Sequence, residues 1–190
     1  MRSGPVKVGV SFFRLLFLVV FAMQLLIVRH AIAMDREEHA KSGRPDSDRP
    51  LTDTGRRRMR KNARGLQRIA PRPDLIGTSP WLRAADTARV IAETLGIEQT
   101  DTVEAMLPDR HPRELAGWLN DHADVPVIVV VGHEPHLGEL VTWFIGGRDA
   151  SNVEFKKGGA CLLRFDDTVD AGTGLLQWHV TPAQLRGLAD

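Results

Sequence analysis

The sequence predicts an α/β domain, a three-layer α/β/α sandwich with a mostly parallel central sheet. Two continuous apolar runs, residues 25–28 and 125–131, are typical of strands buried on both faces of a parallel sheet. Between the predicted strands, apolar residues recur at helical spacing, so strands and helices alternate along the chain. This alternation favours a parallel sheet with helices on both faces.

The same patterns predict the other elements. Further strands are predicted near residues 74–78, 160–165 and 175–180. Helices are predicted over about residues 53–70, 79–95 and 111–122 and after residue 135. Ser79 and Pro80 are interpreted as the N-cap and first-turn proline of the second helix, and Gly96 as its end. The polar residues 31–52 are expected to form a long loop, which in compact domains often serves as a lid or binding loop.

Length and composition fit one globular domain. The chain has 190 residues, of which 43% are hydrophobic, enough for a core of its own. The net charge of +1 gives no support to a strongly electrostatic role in nucleic-acid binding. Cys161 is the only cysteine, which excludes an internal disulfide and argues against a cysteine-based zinc site. This count is compatible with a reducing, cytoplasmic location, and Cys161 itself is expected in the core.

The first 22 residues differ from the rest of the chain. Early positive charges precede an apolar stretch, as in a signal peptide, but Arg14 interrupts that stretch and no clear cleavage site follows. The uninterrupted apolar part, residues 15–23, is well short of the roughly 20 residues of a membrane span, so no membrane association is expected. A third interpretation takes Met23 as the natural start, because the first strand follows it directly. We favour this one, with residues 1–22 as an apolar extension and residues 23–190 as the folded domain.

Polar side chains follow three of the predicted strands at their carboxyl ends. Ligands of open parallel sheets bind outside these ends, so the side chains are expected to share one crevice. They are Arg29, His30, Arg83 and His133. Two histidines and two arginines without an obvious carboxylate cluster form a strongly cationic pocket. Phosphate suits such a pocket because guanidinium groups bind its oxygens bidentately.

Four motifs in order resemble those of a known family. LIVRH at residues 26–30 is similar to the Arg-His motif that opens histidine phosphatases, and LTDTG at residues 51–55 to their L-T-x-x-G helix start. TSPWLRAADTA at residues 78–88 resembles their S-P-x-x-R-A-x-x-T-A signature, and GHEP at residues 132–135 their third signature. Ala31 stands where the family usually has glycine, which is a small change. Apart from its head, the chain is therefore identified as a member of the histidine phosphatase superfamily.

This resemblance implies a phosphoglycerate-mutase-like fold and a division of labour among the site residues. His30 is implied to be the nucleophile that attacks phosphorus and becomes transiently phosphorylated. Arg29 and Arg83 would clamp the phosphoryl oxygens, and His133 would donate a further hydrogen bond. The neighbouring arginines would keep His30 neutral, as a nucleophilic imidazole must be. Larger family members use a glutamate after the third strand as general acid, and Glu104 lies in about that position.

The substrate is implied by a finer likeness. The short chain and the segment GHEPHLGEL at residues 132–140 are similar to phosphohistidine phosphatases of the SixA type. This implies a phosphorylated protein as substrate, whose leaving imidazole needs little help from a general acid. The alternative is a phosphomonoesterase for a small phosphorylated metabolite. A third hypothesis, a non-catalytic phosphate-binding module, is disfavoured because both histidines and both arginines are present.

No metal or other cofactor is expected. His133 and His136 are separated by Pro135, and no third ligand is apparent, so His136 is expected at the rim of the site or on the surface.

Two basic segments have no place in this scheme. The predicted helix over residues 53–70 carries seven cations, which are Arg56, Arg57, Arg58, Arg60, Lys61, Arg64 and Arg68. A solvent-exposed helix face is the simplest interpretation, and docking of an acidic phosphoprotein is a minority alternative. Lys156 and Lys157 belong to a glycine-containing turn that could line the pocket entrance, although an ordinary basic turn is the simpler interpretation.

Overall fold

The computed structural model describes residues 22–189, so the predictions about residues 1–21 lie outside the described part of the chain. Six strands form one sheet. They are β1 (Met23–Arg29), β2 (Leu75–Thr78), β3 (Thr100–Thr102), β4 (Val127–Gly132), β5 (Ala160–Phe165) and β6 (Leu175–Val180). Their spatial order is β3-β2-β4-β1-β5-β6.

The sheet is mostly parallel. Strands β3, β2, β4 and β1 run parallel to one another, whereas β5 pairs antiparallel with β1, and β6 pairs antiparallel with β5. Arg29 at the end of β1 lies opposite Gly132 of β4, and Thr78 at the end of β2 lies opposite Val131 of β4. The three strands that precede the candidate site residues are therefore neighbours whose carboxyl ends meet at one edge. The predicted fold class is confirmed.

Helices cover both faces of the sheet. They are α1 (Arg36–Ala40), α2 (Asp53–Ile69), α3 (Leu82–Leu95), α4 (Pro112–Asn120), α5 (His136–Gly146) and α6 (Pro182–Leu188). Alternate residues of β1 point to opposite faces: Leu25 and Ile27 pack into the core beneath α4 and α5, and Leu26 and Val28 into the core beneath α2, α3 and α6. Two hydrophobic cores thus enclose the sheet. Within residues 22–189, no helix combines the length and the apolar character that a membrane crossing requires.

Four local features differ from the expectations, and one of them is helix α6, which the sequence patterns did not predict. The predicted loop over residues 31–52 contains α1 and a short 3-10 turn, Asp46–Asp48. Helix α3 begins at Leu82 with Trp81 as its N-cap residue, so Ser79 is not the cap, because Pro80 and Trp81 are not yet helical. Strand β3 was not expected, since its three residues are polar and partly exposed at the edge of the sheet.

Candidate active site

A pocket of about 500 Å³ opens at the carboxyl ends of β1, β2 and β4. It receives Arg29 and His30 from the end of β1, Arg83 from the first turn of α3, and His133 from the turn after β4. The four side chains that the sequence singled out together are therefore adjacent in space. Three of them are largely withdrawn from solvent, since His30 is 5% exposed, Arg83 3% and His133 2%, whereas Arg29 is half-buried.

His30 lies on a closely packed turn just beyond β1. Its Nδ1 is 2.7 Å from the Ala31 carbonyl oxygen. Because a carbonyl oxygen only accepts, Nδ1 carries the hydrogen and Nε2 keeps its lone pair. Burial, reinforced by the nearby guanidinium groups, lowers the pKa of His30 to about 3, so the ring is neutral near pH 7.

Two glycines fix the backbone around His30. The first turn of α2 packs on the segment that follows His30 so closely that a Cβ on Gly55 would lie 2.1 Å from the Ile32 carbonyl oxygen. This contact gives the glycine of the LTDTG motif a structural reason. Gly158 adopts a left-handed conformation with φ of +80°, and its N–H reaches the carbonyl oxygens of Arg29 (3.1 Å) and His30 (3.2 Å).

Arg29 is held by the segment before β5. Its Nη1 donates to the Phe155 carbonyl oxygen, while the Phe155 N–H donates to Glu134 Oε1 at 2.5 Å. Glu134 also lines the pocket, and burial raises the pKa of its carboxyl group. The second carboxyl group of the pocket, Asp35, caps α1: hydrogen bonds from the Glu38 and Glu37 N–H groups lower its pKa.

Asp46 joins two arginines at the pocket. Its carboxylate lies 2.8 Å from Arg49 Nε and 3.2 Å from Arg83 Nη2. Arg83 Nη1 also donates to the Asp46 carbonyl oxygen at 2.9 Å, and its guanidinium lies over the Trp81 ring, 4.4 Å from the centroid. Arg49 Nη1 donates to the Met34 carbonyl oxygen at 2.9 Å. Arg49 thereby becomes a third guanidinium of the pocket.

The His133 side chain contacts the segment that follows β2 and the His30 ring. Its Nε2 lies 2.9 Å from Ser79 Oγ, and its ring packs against those of His30 and Trp81, with centroids 5.2 Å and 4.8 Å away. Burial and the Arg83 charge lower its pKa to about 2, so the ring is neutral. Its Nδ1 is buried without a hydrogen-bond partner among residues 22–189.

Glu104 and His136 do not line the pocket. Glu104 is exposed in a 3-10 turn after β3 and does not line the pocket, so the structure does not bring it to the other four residues. His136, which was expected at the rim or on the surface, is fully buried. That expectation was wrong, because the buried face of α5 includes its first residue.

Basic side chains outnumber acidic ones in the lining of the pocket. Lys157 lines the pocket, as the alternative interpretation of its turn had it, and burial together with the arginines lowers its pKa. Within residues 22–189, no group of three or more His, Cys, Asp or Glu side chains is arranged to hold a metal ion. The arrangement suits a doubly charged oxyanion bound by nitrogen donors.

Comparison with known proteins agrees with this geometry. A sequence model of the histidine phosphatase superfamily (branch 1) matches residues 25–111. An uncharacterised protein of Picosynechococcus sp. is 33% identical over 159 residues, which cover 83% of this chain and 90% of that protein. The chain belongs to the histidine phosphatase superfamily. It is a hydrolase of the phosphatase class.

Relatives of this histidine phosphatase include a protein of stated activity. Phosphohistidine phosphatase SixA of Escherichia coli (strain K12) is 26% identical over 170 residues, which cover 86% of this chain and 97% of that protein. A solved structure of the protein histidine phosphatase SixA complexed with tungstate matches with a TM-score of 0.72 at 24% identity. The match covers 86% of this chain and 99% of that chain, so the two proteins share the whole fold.

Sequence patterns gave no site role to Arg49 and Glu134, which line the phosphatase pocket, or to Asp46 and Ser79, which contact Arg83 and His133. Arg49 and Asp46 stand in the segment before the LTDTG motif, and that nearness was the available signal for Arg49. Nothing in the local sequence pointed to Asp46. Ser79 was interpreted as a helix cap although it directly follows β2, which is where ligand-facing residues of such sheets lie. Glu134 is part of the GHEP motif but was given no role of its own.

Proposed function

We propose that this phosphatase removes the phosphoryl group from phosphohistidine in a protein substrate, with His30 carrying that group in an intermediate. The observation that carries the proposal is the state of the His30 ring. The Ala31 carbonyl oxygen accepts the Nδ1 hydrogen at 2.7 Å, and burial beside guanidinium groups keeps the pKa at about 3. Nε2 therefore presents a lone pair in a cationic pocket, as nucleophilic attack on phosphorus requires.

The reaction consists of two displacements at phosphorus. In the first, His30 Nε2 forms a bond to phosphorus while the bond between phosphorus and the substrate imidazole breaks. The electron pair of that bond leaves with the substrate imidazole, which is already protonated on its other nitrogen. In the second, a water oxygen attacks phosphorus, the bond to His30 breaks, and inorganic phosphate is released with transfer of the water proton to solvent or phosphate.

The charged side chains stabilise the transferring group. Arg29, Arg49 and Arg83 are proposed to bind its equatorial oxygens, on which negative charge is spread in the transition state. His133 adds a neutral donor. The backbone N–H of Trp81 donates to Ser79 Oγ at 3.4 Å. The Ser79 hydroxyl can therefore donate its own hydrogen to His133 Nε2, which lies 2.9 Å away. The proton of His133 then sits on Nδ1, which is buried without a hydrogen-bond partner among residues 22–189, and we propose that this N–H donates to a phosphoryl oxygen when the substrate is bound.

A phosphoramidate substrate fits the carboxyl groups of the site. Asp35 has a lowered pKa and stays ionised, Glu134 already accepts the Phe155 N–H, and Glu104 lies exposed outside the pocket. Glu104 is therefore not in place to protonate an alkoxide leaving group, whereas a protonated imidazole leaves without an acid. The short connection beside the pocket also favours a protein substrate. Only residues 103–111 lie between β3 and α4, which leaves the 500 Å³ pocket open to a protein surface. The activity named for the E. coli relative supports the same substrate class.

Substrate panels and acid-quench labelling test the proposal. We expect turnover of a phosphohistidine peptide to exceed that of phosphoserine peptides and of small phosphate monoesters. Quenched enzyme should carry acid-labile, alkali-stable phosphate on His30, and His30→Ala should lose both label and turnover. Arg83→Ala and His133→Ala should lower kcat roughly 100- to 1,000-fold, the range for loss of one transition-state donor.

A matched histidine variant controls the labelling experiment. His122→Ala, at the end of α4 and away from the pocket, should keep label and turnover. Label that persists in His30→Ala would show that another residue is the nucleophile. Faster turnover of a small monoester would instead favour the metabolite phosphatase.

A further inference from the structure

One face of α2 carries an unbroken row of positive charge. Six exposed residues form it, and they are called the basic band: Arg57, Arg58, Arg60, Lys61, Arg64 and Arg68. Their spacing places most of them on one side of the helix, because residues three, four and seven apart share a face. From Arg57 to Arg68 the band extends about 16 Å at 1.5 Å per residue.

The band is not neutralised by its surroundings. Among residues 22–189, no carboxylate forms a salt bridge with any of the six cations, and the only acidic residue of α2 is Asp53 at its start. Arg56, on the neighbouring side of the helix, differs: its guanidinium contacts buried Asp86 at 2.5 Å. Six like charges side by side repel one another, so an acidic partner surface would gain by covering them.

The band leads into the catalytic pocket. A small cleft of about 70 Å³ lies between the first turns of α2 and the segment that holds His30 in place. Its lining includes Arg58 from the band, Arg186 from α6 and Lys157, and no acidic residue. Lys157 lines both this cleft and the phosphate pocket, so positive charge is continuous from the pocket to the band.

We infer that the basic band is the docking surface for an acidic face of the phosphorylated protein substrate. This inference rests on the proposed function and names what the enzyme recognises beyond the phosphoryl group. A substrate whose phosphohistidine occupies the pocket extends across the Lys157 cleft onto α2. Carboxylates of that substrate then pair with the band. This pairing raises the affinity and the rate of association and leaves kcat unchanged.

The overall charge favours a protein rather than a polyanion. Twenty-five basic residues are balanced by 24 acidic ones, so the net charge is only +1. A nucleic acid or an anionic membrane extends far beyond one helix and would meet the acidic remainder of the surface. An acidic patch about 16 Å long would match the length of the band alone. Its carboxylates would have to approach the basic residues to within the Debye length of about 8–10 Å, since exposed charges farther apart are largely screened.

The test compares two substrates and two charge-matched variants. The substrates are synthetic peptides of equal length with a single phosphohistidine, flanked by Asp and Glu in one and by Lys and Arg in the other. Free phosphohistidine serves as a substrate that reaches only the pocket. The band variant is Arg64→Gln/Arg68→Gln, and the control is Arg113→Gln/Arg148→Gln, which removes the same charge from exposed positions elsewhere.

We expect the wild type to prefer the acidic peptide. The band variant should raise KM for that peptide about 2- to 30-fold, as for two exposed ion pairs, with kcat unchanged. Its turnover of free phosphohistidine should stay at the wild-type level, and the control should match the wild type throughout. Salt raised from about 0.05 M to about 0.5 M should remove the preference.

Several results would overturn the inference. The first is equal KM values of the wild type for the two peptides. The second is the same rise in KM for the acidic peptide in the band variant and in the control. The third is a loss of free phosphohistidine turnover in the band variant. The band would instead be assigned to a polyanion if the band variant bound DNA or anionic vesicles more weakly than the wild type while the two peptides gave the same result. If the wild type hydrolyses neither peptide nor free phosphohistidine, the proposed function fails, which is a distinguishable outcome.

Discussion

Asp46→Asn should separate the structural role of the Asp46 carboxylate from phosphate binding. In the wild type this carboxylate lies between Arg49 (2.8 Å) and Arg83 (3.2 Å). The two guanidinium groups are nearly buried, with side-chain exposures of 9% and 3%, whereas Asp46 itself is 33% exposed. An amide of the same shape keeps the backbone acceptor of Arg83 but leaves two like charges without their shared counterion.

The expected loss of stability follows from that geometry. Removal of one partner of a fully buried ion pair costs about 3–5 kcal/mol. Solvent reaches a third of Asp46 and screens part of this interaction, so the free energy of unfolding should fall by about 2–3 kcal/mol. Removal of the Asp46 negative charge also leaves Arg49 and Arg83 without their shared counterion, so an anion in the pocket is attracted more strongly. Inorganic phosphate should therefore bind Asp46→Asn more tightly than the wild type, by about tenfold for 1.4 kcal/mol.

Urea unfolding with and without inorganic phosphate measures both effects. Phosphate at 100 times its Kd stabilises a protein by about 2.7 kcal/mol, so a tighter Kd in the variant gives a larger gain at equal concentration. Asp86→Asn is the matched control. Asp86 is buried and contacts Arg56 and Arg89 at 2.5 and 2.9 Å, but it does not line the pocket.

Asp86→Asn should also lose stability, while its gain from phosphate should equal that of the wild type. Two results would refute the reasoning. The first is a loss below about 0.5 kcal/mol in Asp46→Asn, the scale of ordinary surface substitutions. The second is the same phosphate gain in both variants, which would mean that Asp46 does not compete with phosphate for the arginines.

Two further predictions concern metal and acid. Turnover should survive dialysis against a chelator and be inhibited by vanadate, because the arginines and His133 already supply the positive charge and donors; rescue of chelated enzyme by a divalent ion would contradict this. Burial lowers the pKa of His136 to about 4, against an ordinary value of 6.5, so between these values the unfolded chain binds a proton that the folded chain does not. The free energy of unfolding should therefore fall by about 3 kcal/mol from this residue as pH drops from 7 to 4, and urea titrations of His136→Leu should show a shallower decline.

The predicted strands and helices follow from patterns that act locally. Residues 127–131 are uniformly apolar because β4 is buried on both faces, and the helical spacing from Met59 to Leu66 records one buried face of α2. Such patterns can be recognised from residues that are close in sequence, without information on contacts between distant parts of the chain. Strand β3 lacked this signal because an edge strand of three partly exposed residues needs no apolar run.

The same contrast separates the site residues that sequence could predict from those that it could not. His30 and His133 lie next to strand ends, and the carboxyl edge of a parallel sheet gathers such residues whatever the loops do. Asp46 reaches the site only because its loop folds back to place its backbone carbonyl oxygen and its carboxylate at Arg83, 37 positions along the chain. No periodicity encodes that contact. The charge balance around Arg83 and Arg49 in this phosphatase therefore depends on a loop contact that becomes visible only in the tertiary structure.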